Sequence, residues 1–119
     1  MSATPLQEIK SRLFRALAHP IRIRILERLA AGESTVQDLT GALDLPQPVV
    51  SQHLAALRAR DVVTVRREAK MAYYTLRSPL IAELLRVSRE FLNHQLTGSR
   101  TMLRELQREV RRGSRSASS

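Results

Sequence analysis

The hydrophobic period of this chain changes from helical to strand-like near Asp61 and returns to helical spacing after Ser78. Apolar residues before Asp61 recur at spacings of three and four, which is typical of amphipathic helices. Between Val62 and Leu76 the composition favours two short strands joined by a charged turn. This order of helices, one hairpin and a final helical stretch predicts a mainly α fold with a small β-hairpin.

Helix-start signals recur along the chain. Some are prolines suited to a first helical turn, and others are hydroxyl residues with Gln three positions later, as in a capping box. They stand at Thr4-Pro5, His19-Pro20, Ser34, Pro48 and Ser78-Pro79. We therefore expect about five to six helices, because the stretch after Pro79 allows one long kinked helix or two helices divided near Gly98.

The third and fourth helices are joined by a short turn over residues 44–48, and the hairpin follows them. This is the order of a winged helix-turn-helix, whose second helix enters the major groove of DNA. With 119 residues there is room for one core only. We expect one DNA-binding and dimerisation domain over residues 1–112, followed by a disordered Ser/Arg tail over residues 113–119.

The charge balance points to a polyanionic partner. Lys and Arg number 20 against 11 Asp and Glu, a net charge of +9. Aromatic residues are only 3% of the chain, which disfavours a base-stacking platform for single strands. Without cysteine, disulfides and thiolate metal sites are excluded. No apolar run is long enough to span a bilayer and no secretory signal begins the chain, so we expect a cytoplasmic protein without membrane contact.

Polar side chains lie on the outward face predicted for the fourth helix. Near the N-terminal end of a recognition helix, Gln can pair with adenine, and Ser can donate to bases or phosphates. The candidate DNA-binding residues there are Gln47, Ser51, Gln52, His53 and Arg58. His53 precedes the core position Leu54, so it contacts a base or packs locally.

The tip of the predicted hairpin is basic. Arg66, Arg67 and Lys70 face a single acid, Glu68, within five positions. In a wing, such charge lies along the DNA backbone or in the minor groove. The alternative is a solvated tip whose charge only blunts an exposed strand edge.

Four motifs of the chain resemble the ArsR/SmtB family of bacterial winged-helix repressors over about residues 6–96. They are LAHPIRIRIL from Leu17, VSQHLAALR from Val50, DVV from Asp61, and RRE from Arg66 with YYTL from Tyr73. The resemblance implies a homodimer built from the first and last long helices. It also implies an inverted-repeat operator, released when an inducer binds.

Carried to matching positions, the resemblance implies DNA contacts by the fourth helix and the wing. The implied residues are Gln47, Ser51, Gln52, His53, Arg66, Arg67 and Lys70. Two positions depart from the family pattern. Pro48 stands where a small polar residue is common, and Ala69 stands at the wing tip where glycine is usual.

A dimer is also expected on physical grounds. One module of this size offers little contact area, and two copies about one duplex turn apart double it. The apolar stripes over residues 6–17 and 80–96 exceed what one side of a small core needs. They either join two copies or cover the core of one chain.

An alternative function for the same fold is a repressor that senses a metal ion. The Cys-x-Cys site of metal-sensing relatives is missing, because Thr35 and Gln37 stand in its place. Glu90 and His94, four residues apart, could with a symmetry mate supply four ligands to Ni²⁺ or Zn²⁺, although they also fit a surface pair. Without a sensor site of its own, the protein would respond through a co-regulator protein or another ligand.

We predict no enzyme. Ser51 and His53 are two residues apart on one helix and do not face each other, and no phosphate-binding Gly-rich loop is present. The remaining alternative from another class is a winged-helix module that binds a protein partner and uses its charge only nonspecifically.

Overall fold

A computed structural model describes residues 4–118, with side chains through residue 113. Five helices and one two-stranded antiparallel sheet follow the predicted order, and the predicted mainly α fold with a hairpin is confirmed. The elements are α1 (Pro5–Leu17), α2 (Pro20–Ala30), α3 (Val36–Leu43), α4 (Gln47–Ala59), β1 (Val63–Glu68), β2 (Met71–Leu76) and α5 (Pro79–Ser118). No helix within the described residues is long and apolar enough to cross a bilayer.

Local caps define the first two helices as predicted. The Thr4 side chain accepts from the Gln7 backbone N–H at 3.2 Å, and the Gln7 side chain accepts from the Thr4 backbone at 3.0 Å. At the start of α2, Nδ1 of His19 accepts from the Ile21 N–H at 3.1 Å. These side chains satisfy backbone donors that an α-helix leaves unpaired in its first turn.

The core is aliphatic and lies among α2, α3, α4 and the start of β1. Its fully buried side chains are Ile25, Leu26, Leu39, Val50, Leu54, Leu57, Val62 and Val63. Each such side chain contributes about 1.5–3 kcal/mol by leaving water. Since three of them come from α4, core packing holds the inner face of this helix against the body of the domain.

Helix α3 begins later than the capping signal at Ser34 predicts. The cap is Thr35, which forms a reciprocal capping box with Asp38, with both bonds at 3.1 Å. Ser34 instead pairs with Tyr74 of β2: its N–H donates to the Tyr74 carbonyl at 3.1 Å and its carbonyl accepts at 2.9 Å. This long-range backbone pairing keeps Ser34 out of the helix.

The hairpin is longer than predicted and its turn is tighter. Val63 pairs with Leu76 at one end and Glu68 with Met71 at the other, which leaves Ala69 and Lys70 as the turn. Ala69 has a φ of 54°, a left-handed conformation that costs an L-residue about 1–2 kcal/mol relative to glycine. The wing therefore keeps a turn that suits glycine, although alanine stands there.

Helix α5 is one continuous element, which decides between the two alternatives for the last segment. The chain divides into two compact units, one ending at Glu83 and one beginning at Leu84. The helix includes Gly98 and extends to Ser118, whereas the sequence predicts a disordered tail over residues 113–119. The side chains of residues 114–119 lie outside the described residues, and the extent of the domain stays a prediction.

Candidate nucleic-acid interface

A three-residue turn joins α3 to α4 in helix-turn-helix fashion. Asp44 ends α3 in the left-handed conformation, and its N–H donates to the Thr40 carbonyl. The Arg24 side chain of α2 donates to the Leu43 carbonyl at 2.8 Å, which satisfies a terminal acceptor of α3. Pro46 then caps α4 in an extended conformation. The angle between α3 and α4 is thus set by these backbone conformations and by the core.

Helix α4 has an inner apolar side and an outer polar side without any carboxylate. Val50, Leu54 and Leu57 are fully buried. No Asp or Glu occurs between residues 47 and 59. An acid-free outer face at a helix N-terminus suits a phosphate-rich surface, because the helix dipole also favours negative charge there.

The predicted contact residues of α4 lie on two parts of its outer surface. Gln47, Ser51 and Arg58 are spaced i, i+4 and i+11, so they share one flank; Gln47 and Arg58 are exposed and Ser51 is half-buried. Gln52 is exposed on the outermost ridge, which continues with Ala55 and Ala59. Small side chains along this ridge allow the helix to approach the floor of a groove closely.

His53 lies on the opposite flank of α4, and its side chain is engaged within the protein. Nδ1 of His53 accepts from Nε of Arg22 on α2 at 3.2 Å. Its ring packs against the His19 ring, with centroids 4.3 Å apart and planes tilted by 47°. Burial, followed by the charges of His19 and Arg22, lowers the pKa of His53 below its ordinary value. The alternative of local packing therefore describes His53 in this structure.

Arg66 of the wing is paired with two carboxylates. Its guanidinium donates to Glu33 at 2.9 Å and to Glu68, and it lies 4.7 Å above the centroid of the Tyr73 ring. The hydrogen bonds to Glu68 and then Glu33 raise the pKa of Arg66. This side chain joins the wing to the turn between α2 and α3.

Arg67 and Lys70 present unpaired charge at the wing. Both side chains are exposed, and neither has a hydrogen bond or ion pair within the described part of the chain. Arg67 is adjacent to Arg66 in β1, so the two side chains point to opposite faces of the hairpin. The wing therefore has one arginine directed at its own protein and two cations available to a ligand.

The candidate metal ligands Glu90 and His94 do not belong to a larger ligand cluster among the described residues. Oε2 of Glu90 accepts from the Arg86 guanidinium at 3.0 Å, one turn earlier on α5. His94 is exposed. Among the described residues, no group of three or more His, Asp or Glu side chains could hold a metal ion.

Helices α1 and α5 each carry an exposed apolar face. On α1 these residues are Leu6, Ile9, Leu13 and Phe14. On α5 they are Leu80, Val87, Phe91, Leu92, Leu96, Met102, Leu103, Leu106 and Val110. Phe14 is 56% and Phe91 is 61% exposed. Extended exposed faces of this kind mark protein–protein contacts.

Sequence reasoning missed Arg22 and Glu33. Arg22 falls on the solvent side of the helical pattern of α2, yet it is half-buried and bonds His53 and the Ala16 carbonyl. Glu33 is one of the two acids that hold Arg66. No local signal marks either residue, because their side-chain partners His53 and Arg66 lie far away along the chain.

A protein-family model for bacterial regulatory proteins of the arsR family matches residues 19–65, from the cap of α2 into β1. The uncharacterised HTH-type transcriptional regulator Rv0081 of Mycobacterium tuberculosis is 38% identical over 107 residues, covering 89% of this chain and 94% of that protein. The HTH-type transcriptional repressor SmtB of the same species is 42% identical over 73 residues, or 61% of this chain and 54% of that one.

Solved structures show the same architecture. The crystal structure of Rv0081 matches with a TM-score of 0.73 at 40% identity, covering 80% of this chain and 96% of that chain. The solution structure of a homodimeric winged helix-turn-helix DNA-binding domain, Mb0332 from Mycobacterium bovis, matches with a TM-score of 0.70 at 28% identity, covering 81% of this chain and 94% of that one. The predicted winged helix-turn-helix fold is thereby confirmed.

Proposed function

Because the chain belongs to the arsR family of bacterial regulatory proteins, we propose that it is a homodimeric repressor that binds an inverted-repeat operator in double-stranded DNA. The resemblance noted in the sequence is correct at the level of the family. DNA-binding transcription regulation and a homodimer follow from the family and from the homodimeric structural relative.

The acid-free outer surface of α4 is the observation that carries this function. Gln52 occupies its exposed ridge, and Gln47 and Ser51 lie on the flank near the helix N-terminus. Amide and hydroxyl side chains at such positions can hydrogen-bond base edges in the major groove. We assign base recognition to these three residues and a phosphate contact to Arg58.

The wing supplies sequence-independent affinity. Arg67 and Lys70 are exposed and unpaired within the described residues, so both can bind phosphate or enter the minor groove. Arg66, which the sequence also suggests for DNA contact, is held by Glu33 and Glu68. We assign Arg66 to the orientation of the wing and the direct contacts to its two basic neighbours.

The exposed apolar faces of α1 and α5 support a dimer contact through these helices. A second copy would bury Phe14, Phe91 and their neighbours, which contribute about 25 cal/mol per Å² removed from water. A two-fold dimer presents two α4 helices, which matches the symmetry of an inverted repeat. We propose that α1 and α5 together form this contact.

We place effector sensing outside the Glu90–His94 pair. The Arg86 guanidinium donates to the Glu90 carboxylate, which engages one of the two ligands that each subunit would supply. A co-regulator protein or another ligand would then release the operator. We also propose that the protein acts in the cytoplasm and has no catalytic activity, since its relatives are named as transcriptional regulators.

Selection of bound duplexes from a random pool tests the proposed function. We expect a two-fold symmetric consensus, because each subunit reads one half-site. Competition against a scrambled duplex at about 150 mM salt then measures the specificity ratio. The absence of a consensus, or equal affinity for both duplexes, would contradict the proposal and favour a module that binds a protein partner.

A further inference from the structure

One arginine of α2 makes directional contacts with two other helices. Nε of Arg22 donates to Nδ1 of His53 on α4 at 3.2 Å. Nη1 of Arg22 donates to the Ala16 carbonyl, near the end of α1, at 3.1 Å. A single side chain thus connects the helix that we assign to DNA recognition with a helix that we assign to dimerisation.

Helix α4 has no side-chain cap at its N-terminus. Its cap is Pro46, and no side chain accepts a hydrogen bond from its first turn. Val50, Leu54 and Leu57 hold the inner face by aliphatic packing, and the free energy of burying such side chains does not depend on the direction of a bond. A hydrogen bond on the flank of the helix opposes rotation about the helix axis, because its strength depends on angle.

We propose that His53 is a positioning residue for DNA reading: it accepts from Arg22, fixes the rotation of α4, and makes no base contact itself. This inference rests on the proposed function. Ser51 and Gln52 immediately precede His53, so a rotation of the helix displaces both side chains from the base edges. His53 therefore acts on specificity through its neighbours in α4.

The link requires an unprotonated Nδ1 on His53. The titratable groups that act on the His53 ring are His19 and Arg22, both from α2 and its cap. Among the described residues of α1, α3 and β1, the other elements packed against α4, no charged group acts on this ring. A proton on Nδ1 would place two donors and two positive charges face to face, and the link would break.

Two substitutions at His53 distinguish a role in positioning α4 from a direct contact with a DNA base. In His53→Asn, Oδ1 occupies a position close to that of Nδ1 and can accept from Arg22 without titrating. In His53→Ala the acceptor is lost. The probes are a labelled duplex carrying the consensus selected by the unmodified protein and a scrambled duplex, titrated between about pH 7.5 and 5.5 and at several salt concentrations.

We expect His53→Ala to bind the selected duplex about tenfold more weakly near pH 7.5, since a hydrogen bond to a charged donor is lost. Its affinity for the scrambled duplex and its salt slope should not change, because no phosphate contact is removed. His53→Asn should keep affinity within about threefold of the unmodified protein. The affinity of the unmodified protein for the selected duplex should decrease as the pH is lowered, whereas the affinity of His53→Asn should stay constant.

A double-mutant cycle with Arg22→Met completes the test, because Met fills similar space without a hydrogen-bond donor. We expect the losses from Arg22→Met and His53→Ala to be non-additive, because both remove the same bond. The inference is overturned by additive losses, by a salt slope that falls in His53→Ala, or by relaxation of the consensus at a single base position in that variant. If His53→Ala does not fold, the test is the pH dependence of DNA affinity in the unmodified protein and in His53→Asn. The inference is overturned if the two proteins show the same pH dependence.

The proposed function and this inference fail in different ways. If the unmodified protein selects no consensus, the proposed function is wrong and the inference falls with it. If a consensus is selected and the His53 variants bind like the unmodified protein at every pH, the inference alone is wrong.

Discussion

The guanidinium of Arg66 on β1 donates a hydrogen bond to the Glu33 carboxylate at 2.9 Å and so connects the wing to the turn between α2 and α3. Next to this contact, the backbones of Ser34 and Tyr74 form a bridge with two hydrogen bonds. The wing is therefore attached at its base by backbone pairing and farther out by an ion pair. An exposed ion pair adds little stability, about 0–1 kcal/mol, so its main effect is on orientation.

The two neighbouring wing arginines should respond differently to removal. We expect Arg67→Ala to weaken binding to all duplexes and to reduce the salt slope by about one per subunit, because a phosphate contact is lost. Arg66→Ala should leave most of the salt slope intact, since its charge is already neutralised by Glu33 and Glu68. Fluorescence anisotropy at several salt concentrations measures both. Equal slopes for the two variants would contradict this division.

Gln52→Ala should change specificity rather than general affinity. We expect a loss of about 1–3 kcal/mol on the selected duplex and relaxed discrimination at one base position, because a hydrogen bond to a base edge is lost. Asn93→Ala, which removes an exposed amide outside the apolar stripe of α5, is the matched control and should bind like the unmodified protein. Selection from a random pool with each variant makes the comparison. An unchanged consensus for Gln52→Ala would rule out base reading by this residue.

Ala69→Gly should stabilise the wing turn. Ala69 has a φ of 54°, which glycine adopts without steric cost, and we expect a gain of about 1 kcal/mol in the free energy of unfolding. The control is Ala55→Gly within α4, which should lose about 1 kcal/mol through helix propensity. Urea denaturation measures both variants. A destabilised Ala69→Gly variant would show that the turn carries no strain at this position.

Acidification should destabilise the fold through His53. The pKa of His53 is lowered in the folded protein, so between its ordinary value and the lowered one the unfolded chain binds more protons. Stability from this residue is therefore full above about pH 6.5 and falls as the pH drops below that value. Urea denaturation from pH 7.5 downwards should show this fall, and His53→Asn should flatten it. His94→Asn, at an exposed position on α5, is the matched single-histidine control.

A charge in the apolar face of α5 should break the dimer. Phe91 is 61% exposed, and we expect Phe91→Asp to shift the protein to monomers, because dimerisation would bury a carboxylate without a partner. Asn93→Asp adds the same charge at an exposed position outside the apolar stripe and should remain dimeric. Analytical ultracentrifugation distinguishes the two. A dimeric Phe91→Asp variant would show that this part of α5 lies outside the contact.

Most of the architecture could be predicted from the sequence because its signals are local. The Thr4 capping box, His19 as the cap of α2, and the change of hydrophobic period at the hairpin each depend on residues a few positions apart. The outward position of Gln52 follows from helix geometry once Val50 and Leu54 are placed in the core. Net charge and the acid-free fourth helix can likewise be counted directly.

Tertiary structure alone decided the partners of the polar side chains. The Arg22–His53 bond spans 31 residues and the Arg66–Glu33 bond spans 33, and the start of α3 depends on pairing between Ser34 and Tyr74. Residues so far apart in sequence meet only when helices and hairpin pack on the common core. A local pattern can place a side chain on a face, but the element packed against that face determines whether the side chain binds its own protein or stays available for DNA.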